Sequence, residues 1–216
     1  MHQEHEALLG RWRQLPKHAG KVFIADGIID PARWERAPRR VLLLLKEAYS
    51  TEQEAFYLRA WLRENGPRYN IWRNVAKWAY ALQNWTETNH PSAPEDLQIL
   101  TEALLSVAVV NIKKSDGQTQ SRQEDLMDYA MADGEYLHRQ IELINPDLIL
   151  CGSTLAYVLH VWKDESFRSG HPQVWKVAGR PVIEFWHPAV HWPHSLLYHA
   201  LGGMLSASGL AQMPRR

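Results

Sequence analysis

The run Val41-Leu42-Leu43-Leu44-Leu45 is followed at once by the polar segment Lys46-Glu47-Ala48-Tyr49-Ser50. A continuous apolar run of this length is typical of a strand covered on both faces, as in a parallel sheet between two layers of helices. The polar residues after the run then lie at the carboxyl edge of that sheet. In open α/β sheets, this edge carries the functional residues.

Further apolar segments alternate with helical patterns along the chain. Strands are predicted at 22–25, 105–110, 146–152 and 182–186, and helices at 3–14, 51–64, 70–83, 95–103, 121–143 and 193–208. A capping-box pattern, Ser121-Arg122-Gln123-Glu124, marks the start of the long helix at 121–143. The alternation predicts a single domain over residues 1–216, an α/β/α sandwich of three layers. Its central sheet is expected to be mainly parallel and four-stranded, preceded by an N-terminal helix at about 3–15.

Composition limits the classes of function. The 216 residues carry 24 basic and 24 acidic side chains, which argues against binding to nucleic acid through bulk charge, although a local groove can still be basic. The single cysteine, Cys151, excludes a disulfide scaffold and a cysteine-ligated cluster. The first residues do not resemble a signal peptide, and the apolar runs are too short for a bilayer. We therefore expect a soluble, cytoplasmic protein.

Four motifs stand at the predicted carboxyl edge, one after each main strand. They are Lys46-Glu47-Ala48-Tyr49-Ser50, Asn111-Ile112-Lys113-Lys114-Ser115, Gly152-Ser153-Thr154-Leu155-Ala156 and His187-Pro188-Ala189. In the last motif, Pro188 pushes His187 toward an extended backbone, so the imidazole is aimed by a stiff segment.

The order and spacing of these motifs resemble the uracil-DNA glycosylase superfamily over roughly residues 41–193. The first resembles the water-activating motif in its Gly-Glu-Ala-Pro-Gly variant, and the second resembles the Asn-Val-Val-Lys segment. The third is similar to the Pro-x-x-(apolar)-Gly-x-x-Ala turn, and the fourth to His-Pro-Ser. The resemblance implies a uracil-DNA glycosylase-like sandwich and a monofunctional DNA glycosylase, which flips a damaged, deaminated or modified base and leaves an abasic site.

The chain also departs from the family pattern. Lys46 and Tyr49 stand where the variant has glycine and proline, and Ala189 replaces serine after His-Pro. Ala48 occupies the position of a catalytic Asp or Asn in other branches. The departures favour a target other than plain uracil opposite adenine.

The residue types suit the breaking of a bond between a base and a sugar. Neutral His187 can stabilise the departing base anion, and Asn111 can offer a donor and an acceptor to the edge of a flipped base. Glu47 can orient water or stabilise the positive sugar, with Asp116 as the other candidate carboxylate. The structural alternatives are a helix-start carboxylate or a Lys46 partner for Glu47, a strand cap for Asn111 and a turn at Asp116-Gly117.

Substrate contacts are predicted at the same edge. The residues expected to bind the base are Lys46, Ala48, Tyr49, Tyr69 and Asn111, although a tyrosine at the position of Tyr69 more often packs in the core. Those expected to bind DNA are Lys113, Lys114, Ser153, Ala189, Val190, His191 and Trp192, with Val190, His191 and Trp192 as a wedge. Arg68, Arg73 and Arg122 are further basic candidates, and a solvated surface is the alternative for each basic residue.

No metal or other cofactor is expected. His187, His191, His194 and His199 are close in sequence, but Pro188 and Pro193 interrupt the register of ligands that zinc requires. The iron-sulfur branches of the superfamily use four cysteines, and this chain has one. The expected partner is single- or double-stranded DNA with a flipped base, bound by a monomer that does not associate with membranes. The alternatives are a catalytically inactive nucleic-acid-binding protein of the same fold and a hydrolase of free nucleosides or nucleotides.

Overall fold

A computed structural model describes residues 2–50, 55–115, 117, 121–162 and 166–216. The helices are α1 (His2–Arg13), α2 (Pro31–Arg36), α3 (Leu58–Asn65), α4 (Asn70–Asn84), α5 (Leu97–Leu105), α6 (Gln123–Ala132), α7 (Gly134–Ile144), α8 (Leu155–Val161) and α9 (His194–Ala207). The strands are β1 (Phe23–Ala25), β2 (Gly27–Ile28), β3 (Val41–Leu45), β4 (Ala55–Tyr57), β5 (Ala108–Asn111), β6 (Leu148–Gly152), β7 (Ser166–Arg168), β8 (Val174–Val177) and β9 (Arg180–Phe185).

The protein is an α/β protein with a mixed central sheet. Its seven strands lie in the order β2-β5-β3-β6-β9-β8-β7. The pairs β5-β3, β3-β6 and β6-β9 are parallel, whereas β2-β5, β9-β8 and β8-β7 are antiparallel. The expectation of four strands in a mainly parallel sheet is therefore wrong. The strands missing from that prediction are β2 and β7, at the two edges of the sheet, and β8, which lies between β9 and β7. All three are short and lack the continuous apolar run that marks a strand buried on both faces.

The apolar run at β3 packs in alternation on the two faces of the sheet. Val41, Leu43 and Leu45 join a hydrophobic cluster with α3, α4, α5 and α9. Leu42 and Leu44 join a second cluster with residues of α1, α6, α7 and α8. Because successive side chains of a strand point to opposite faces, a strand in the middle layer must be apolar throughout.

Two predicted helices differ from the structure. Residues 51–54 of the helix expected at 51–64 lie outside the described ranges, and Ala55–Tyr57 form β4, which pairs in parallel with β1 before α3 begins. The helix expected at 121–143 is two helices, α6 and α7, that meet at Asp133. The buried Asp133 carboxylate contacts the His18 ring instead of solvent, a tertiary contact that local sequence does not reveal. The predicted capping box is wrong as well, because the residue that precedes α6 is Arg122 and makes no side-chain cap.

The chain connections create a crevice at the carboxyl edge. From β3 the chain passes through α3–α5 to β5 on one side, and from β6 it passes through α8 to β9 on the other. Where neighbouring strands send their connections in opposite directions, the loops separate and leave room for a ligand. Within the described ranges, no helix is long and apolar enough to span a membrane.

Candidate active site

A cavity of about 460 Å³ lies at this carboxyl edge. Three polar side chains reach it from different strand ends, Glu47 after β3, Asn111 at the end of β5 and His187 after β9. Ala48 and Tyr49 also line it. A volume of this size is typical of a site for a small organic molecule.

One wall of the cavity is aromatic. The rings of Trp61 and Tyr69 are stacked, with centroids 5.7 Å apart and planes 20° from parallel. Phe56 meets Trp61 edge-on at 6.2 Å, and Trp72 lines the same space. Tyr69 is 58% exposed at the rim, so the alternative that it packs in the core is wrong. Sequence analysis did not identify Phe56, Trp61 or Trp72, because residues inside a predicted helix do not reveal which face meets a cavity.

His187 is held as a neutral hydrogen-bond donor. Burial lowers its pKa to about 4, and the positive charge of Lys46 adds to the effect. Its Nδ1 accepts a hydrogen bond from the backbone N–H of Ala189 at 3.3 Å. A neutral imidazole whose Nδ1 is an acceptor carries its proton on Nε2, which is then available to donate.

The segment that carries His187 is fixed from both sides. The buried Asn74 of α4 donates through Nδ2 to the carbonyl oxygen of Pro188 at 2.7 Å. On the other side, a Cβ at Gly152 would lie 2.8 Å from Leu45 Cδ2 and 3.2 Å from Pro188 Cδ, so a larger residue would displace Leu45 and press on Pro188. These contacts hold the His-Pro turn against the end of β3.

Asn111 is anchored in the interior. Its backbone N–H and its Nδ2 both donate to Asp26 Oδ2, at 2.8 and 3.1 Å. The other oxygen of Asp26 accepts from Lys114 Nζ at 2.5 Å and from Gln140 Nε2 at 3.0 Å. The prediction that Lys114 binds DNA is therefore wrong, since the side chain is fully buried and its charge is paired with Asp26.

The Glu47 side chain forms an ion pair with Lys113, whereas the structural alternative predicted Lys46 as its partner. The carboxylate is 5% exposed, and its Oε2 is 3.3 Å from Lys113 Nζ, which also contacts Asp125 at 2.7 Å. Burial favours a lower pKa for Lys113, but Asp125 and Glu47 outweigh it and raise the pKa above its usual value. The Lys113 ammonium is thus buried and already balanced by two carboxylates, which contradicts its predicted role in binding phosphate.

Glycine is also required beneath Glu47. A Cβ at Gly117 would lie 2.7 Å from Glu47 Cγ and 2.9 Å from the carbonyl oxygen of Ala48. The Gly117 N–H donates to that same oxygen at 2.8 Å. The segment after β5 therefore packs directly on the first motif and fixes the position of Glu47.

The remaining predicted residues are more scattered. Lys46 is not among the described residues that line the cavity, although its charge acts on His187. Ser153 is half-buried at the end of β6, with a positive φ of 57°. Val190 packs against the core, whereas Ala189, His191 and Trp192 are exposed. Asp116 lies outside the described residues.

A second polar cluster forms in the interior, and none of its three side chains lines the cavity. Ser115 Oγ lies 2.8 Å from His18 Nδ1, and His18 Nε2 lies 3.0 Å from Asp133 Oδ2. The order of these side chains is that of a nucleophile, a base and an orienting carboxylate. All three are at most 2% exposed, so a substrate cannot reach the hydroxyl.

Comparisons with known proteins do not assign the chain to a family. No family model matches it, and no curated protein matches it. Among the described residues, no group of three His, Cys, Asp or Glu side chains is arranged to hold a metal ion.

Proposed function

We propose that this protein is a monofunctional DNA glycosylase of the uracil-DNA glycosylase type that removes an altered base. The observation that carries the proposal is the meeting of Glu47, Asn111 and His187 in one aromatic-walled cavity at the carboxyl edge. The finer description of the fold, a three-layer sandwich of that type, belongs to the same proposal. It is supported by the adjacent parallel strands β5, β3, β6 and β9 and by a hydrophobic cluster on each face.

The cavity suits a flat heteroaromatic base. The stacked pair Trp61 and Tyr69 offers ring faces, and stacking of a base on an aromatic side chain stabilises binding by about 1–3 kcal/mol. Asn111 supplies an amide that can form hydrogen bonds with the edge of that base. A base reaches such a pocket only after it leaves the stack.

His187 supplies a proton donor for the leaving base. Hydrolysis breaks the bond between C1′ of the sugar and the base nitrogen, and the base departs with the electron pair of that bond. A hydrogen bond from His187 Nε2 stabilises the negative charge that develops on the base. The neutral form already predominates at pH 7, because burial lowers the pKa of this histidine to about 4.

Glu47 acts on the sugar and the water. Its carboxylate stabilises the positive charge that develops at C1′ and orients the water whose oxygen joins C1′. The water loses one proton, and the base gains one. Since Ala48 carries no side-chain oxygen, Glu47 is the carboxylate that lines the cavity among the described residues.

The DNA itself is held at the rim. Trp192 is 52% exposed after the His-Pro turn, and together with exposed His191 it can occupy the space left by a flipped base. Arg68 and Arg122 are exposed and remain candidates for phosphate contacts.

One observation favours a second candidate, a hydrolase of free nucleosides or nucleotides. Lys113 and Lys114, the lysines predicted to hold phosphates, are buried and paired with carboxylates. An enzyme that acts on a free nucleoside needs no row of phosphate contacts. The same cavity and the same three polar groups would then act on a smaller substrate.

The test is a panel of oligonucleotides, single- and double-stranded, that carry different altered bases, alongside free nucleosides. We expect alkali-labile abasic sites at one altered base, weak excision of uracil opposite adenine, and product formation slower by roughly 10²–10³ with His187→Ala. Release of bases from nucleosides alone would favour the second candidate. Binding of DNA without any product, or excision of uracil faster than of every other base, would contradict the proposal.

A further inference from the structure

We propose that Asp26 is a positioning residue that fixes the Asn111 amide in one orientation, so that the cavity distinguishes base edges by their order of donor and acceptor. The inference rests on the proposed function, because it takes a base as the molecule that Asn111 contacts. Asp26 belongs to none of the four motifs at the carboxyl edge, and it does not line the cavity.

The contact between the two side chains has a defined direction. Asn111 Nδ2 donates to Asp26 Oδ2 at 3.1 Å, and the same oxygen accepts the backbone N–H of Asn111 at 2.8 Å. A carboxylate oxygen accepts hydrogen bonds and repels the amide oxygen. The Asn111 amide therefore cannot rotate by 180° without replacing an attraction by a repulsion.

Asp26 is itself immobilised. It is fully buried directly after β1, and the Lys114 ammonium and the Gln140 amide both donate to its Oδ1. Lys114 is enclosed in turn, with its Nζ 5.0 Å from the centre of the Trp12 ring. A carboxylate held by Lys114 and Gln140 keeps its position and thereby fixes the Asn111 amide.

A fixed amide separates bases into two classes. One amide hydrogen is committed to Asp26, so the amide oxygen and the second hydrogen are what Asn111 can offer to a ligand. Uracil and hypoxanthine present an N–H next to a carbonyl oxygen, whereas cytosine and adenine present a ring nitrogen acceptor next to an amino group. An amide fixed in the orientation that pairs with uracil or hypoxanthine cannot pair with cytosine or adenine. Its N–H would face their amino group, and its oxygen would face their ring nitrogen.

The variants are chosen to separate this role from support of the fold. Asp26→Asn combined with Lys114→Met removes both buried charges together, and an asparagine at 26 can face Asn111 with either its oxygen or its nitrogen. The control is Gln140→Met, which removes a donor to Asp26 Oδ1 and leaves the contact between Asn111 and Oδ2 in place. Thermal unfolding of each variant records the loss of stability that a purely structural role would produce.

Two readouts report on the amide. The first is the affinity for free uracil against cytosine, and for hypoxanthine against adenine, followed by quenching of tryptophan fluorescence. We expect the native protein to bind one member of each pair at least about tenfold tighter, since a polar site rejects a mismatched partner strongly. The second is the nuclear magnetic resonance signal of the Asn111 side-chain amide, one proton of which should be protected from exchange.

In the double variant, the affinities within each pair of bases should become nearly equal, and the Asn111 amide proton should lose its protection from exchange. Gln140→Met should keep the difference in affinity and the protection. Unchanged ratios and protection in the double variant would overturn the proposal, and so would equal affinities in the native protein. If the native protein binds none of the four bases but releases another altered base from the oligonucleotide panel, the proposed function stands; if it does neither, the proposed function fails. The exchange measurement would then still decide whether Asp26 orients Asn111.

Discussion

Two buried polar clusters link the first 26 residues of the chain to the segment after β5, and only one of them reaches the cavity. In the open cluster, Asp26 holds Asn111, which lines the cavity. In the closed cluster, His18 joins Ser115 to Asp133, and all three side chains are removed from solvent. The closed cluster has the residue types of a catalytic triad, whereas the open one looks like an ordinary ion pair.

The two clusters therefore differ in their access to the cavity, and their residue types alone do not show this. A buried hydroxyl with a histidine and a carboxylate can satisfy hydrogen bonds without meeting a substrate. A buried ion pair can act on a substrate when its partner, here Asn111, faces a cavity. The following predictions test this distinction, beginning with the largest expected effect.

Removal of the charge at Lys114 tests the open cluster. Lys114→Met leaves the buried Asp26 carboxylate without its ammonium partner, so the free energy of unfolding should fall by about 3–5 kcal/mol. Chemical denaturation measures the loss, and addition of Asp26→Asn should recover most of it. Unchanged stability combined with weaker DNA binding would restore Lys114 as a phosphate contact.

His187 tests the chemistry of the cavity. His187→Ala removes the proposed donor to the leaving base, and the rate of base release should fall by roughly 10²–10³ with little change in DNA affinity. Single-turnover kinetics on the substrate found in the oligonucleotide panel measures the rate. The control is His160→Ala, which alters an exposed histidine of α8 that does not line the cavity and should leave the rate near that of the native protein. A fully active His187→Ala protein would contradict the assigned role.

The closed cluster should affect stability alone. Ser115→Ala and His18→Ala each leave buried polar partners unsatisfied, and each should lower the free energy of unfolding by about 1–3 kcal/mol. Base binding and turnover should stay unchanged, as measured by fluorescence quenching and by product release. Loss of hydrolysis in Ser115→Ala at undiminished stability would show that the cluster is a concealed active site.

Acidification should weaken the open cluster through His5, which contacts Gln140. Burial lowers the pKa of His5 from 6.5 to about 4, with the charge of Arg59 as the next cause. The unfolded chain then binds a proton near pH 6.5 that the folded chain accepts only near pH 4, so stability falls as the pH drops through this window.

The expected contribution of His5 between pH 6.5 and 5 is about 1–2 kcal/mol of unfolding free energy. Denaturation curves at several pH values measure it. His5→Gln should reduce the change of unfolding free energy with pH. Part of that change should remain, because the pKa of His187 is also lowered to about 4. A variant with the same slope as the native protein would show that His5 does not titrate in this way.

The sequence predicted the polar residues of the cavity better than its walls. Glu47, Asn111 and His187 each follow an apolar strand, and the carboxyl ends of parallel strands meet at one edge whatever the loops do. Phe56 of the aromatic wall lies in β4, which replaces part of the predicted helix at 51–64 and pairs with β1, and Trp61 of α3 stacks on Tyr69 just before α4. Strand pairing between distant segments overrides local helical preference.

Lys113 and Lys114 show the same limit. A pair of lysines at a strand end is compatible with a phosphate contact and with a buried ion pair, and the two cases look alike in sequence. The partners that decide between them are Asp26, 88 positions from Lys114, and Asp125, 12 positions from Lys113. A charged lysine is buried without a large loss of stability only where a carboxylate lies beside it.

The sequence by itself determined the apolar run of β3, the alternation of strands and helices, and the polar residues that end the main strands. These features follow from periodicity and from the position of polar residues relative to strands. The tertiary structure decided the seven-stranded mixed sheet, the break between α6 and α7, and which polar residues face a cavity. Those outcomes depend on contacts between segments far apart in the chain, such as Asp26 with Asn111 and His18 with Asp133, whose geometry no local pattern encodes.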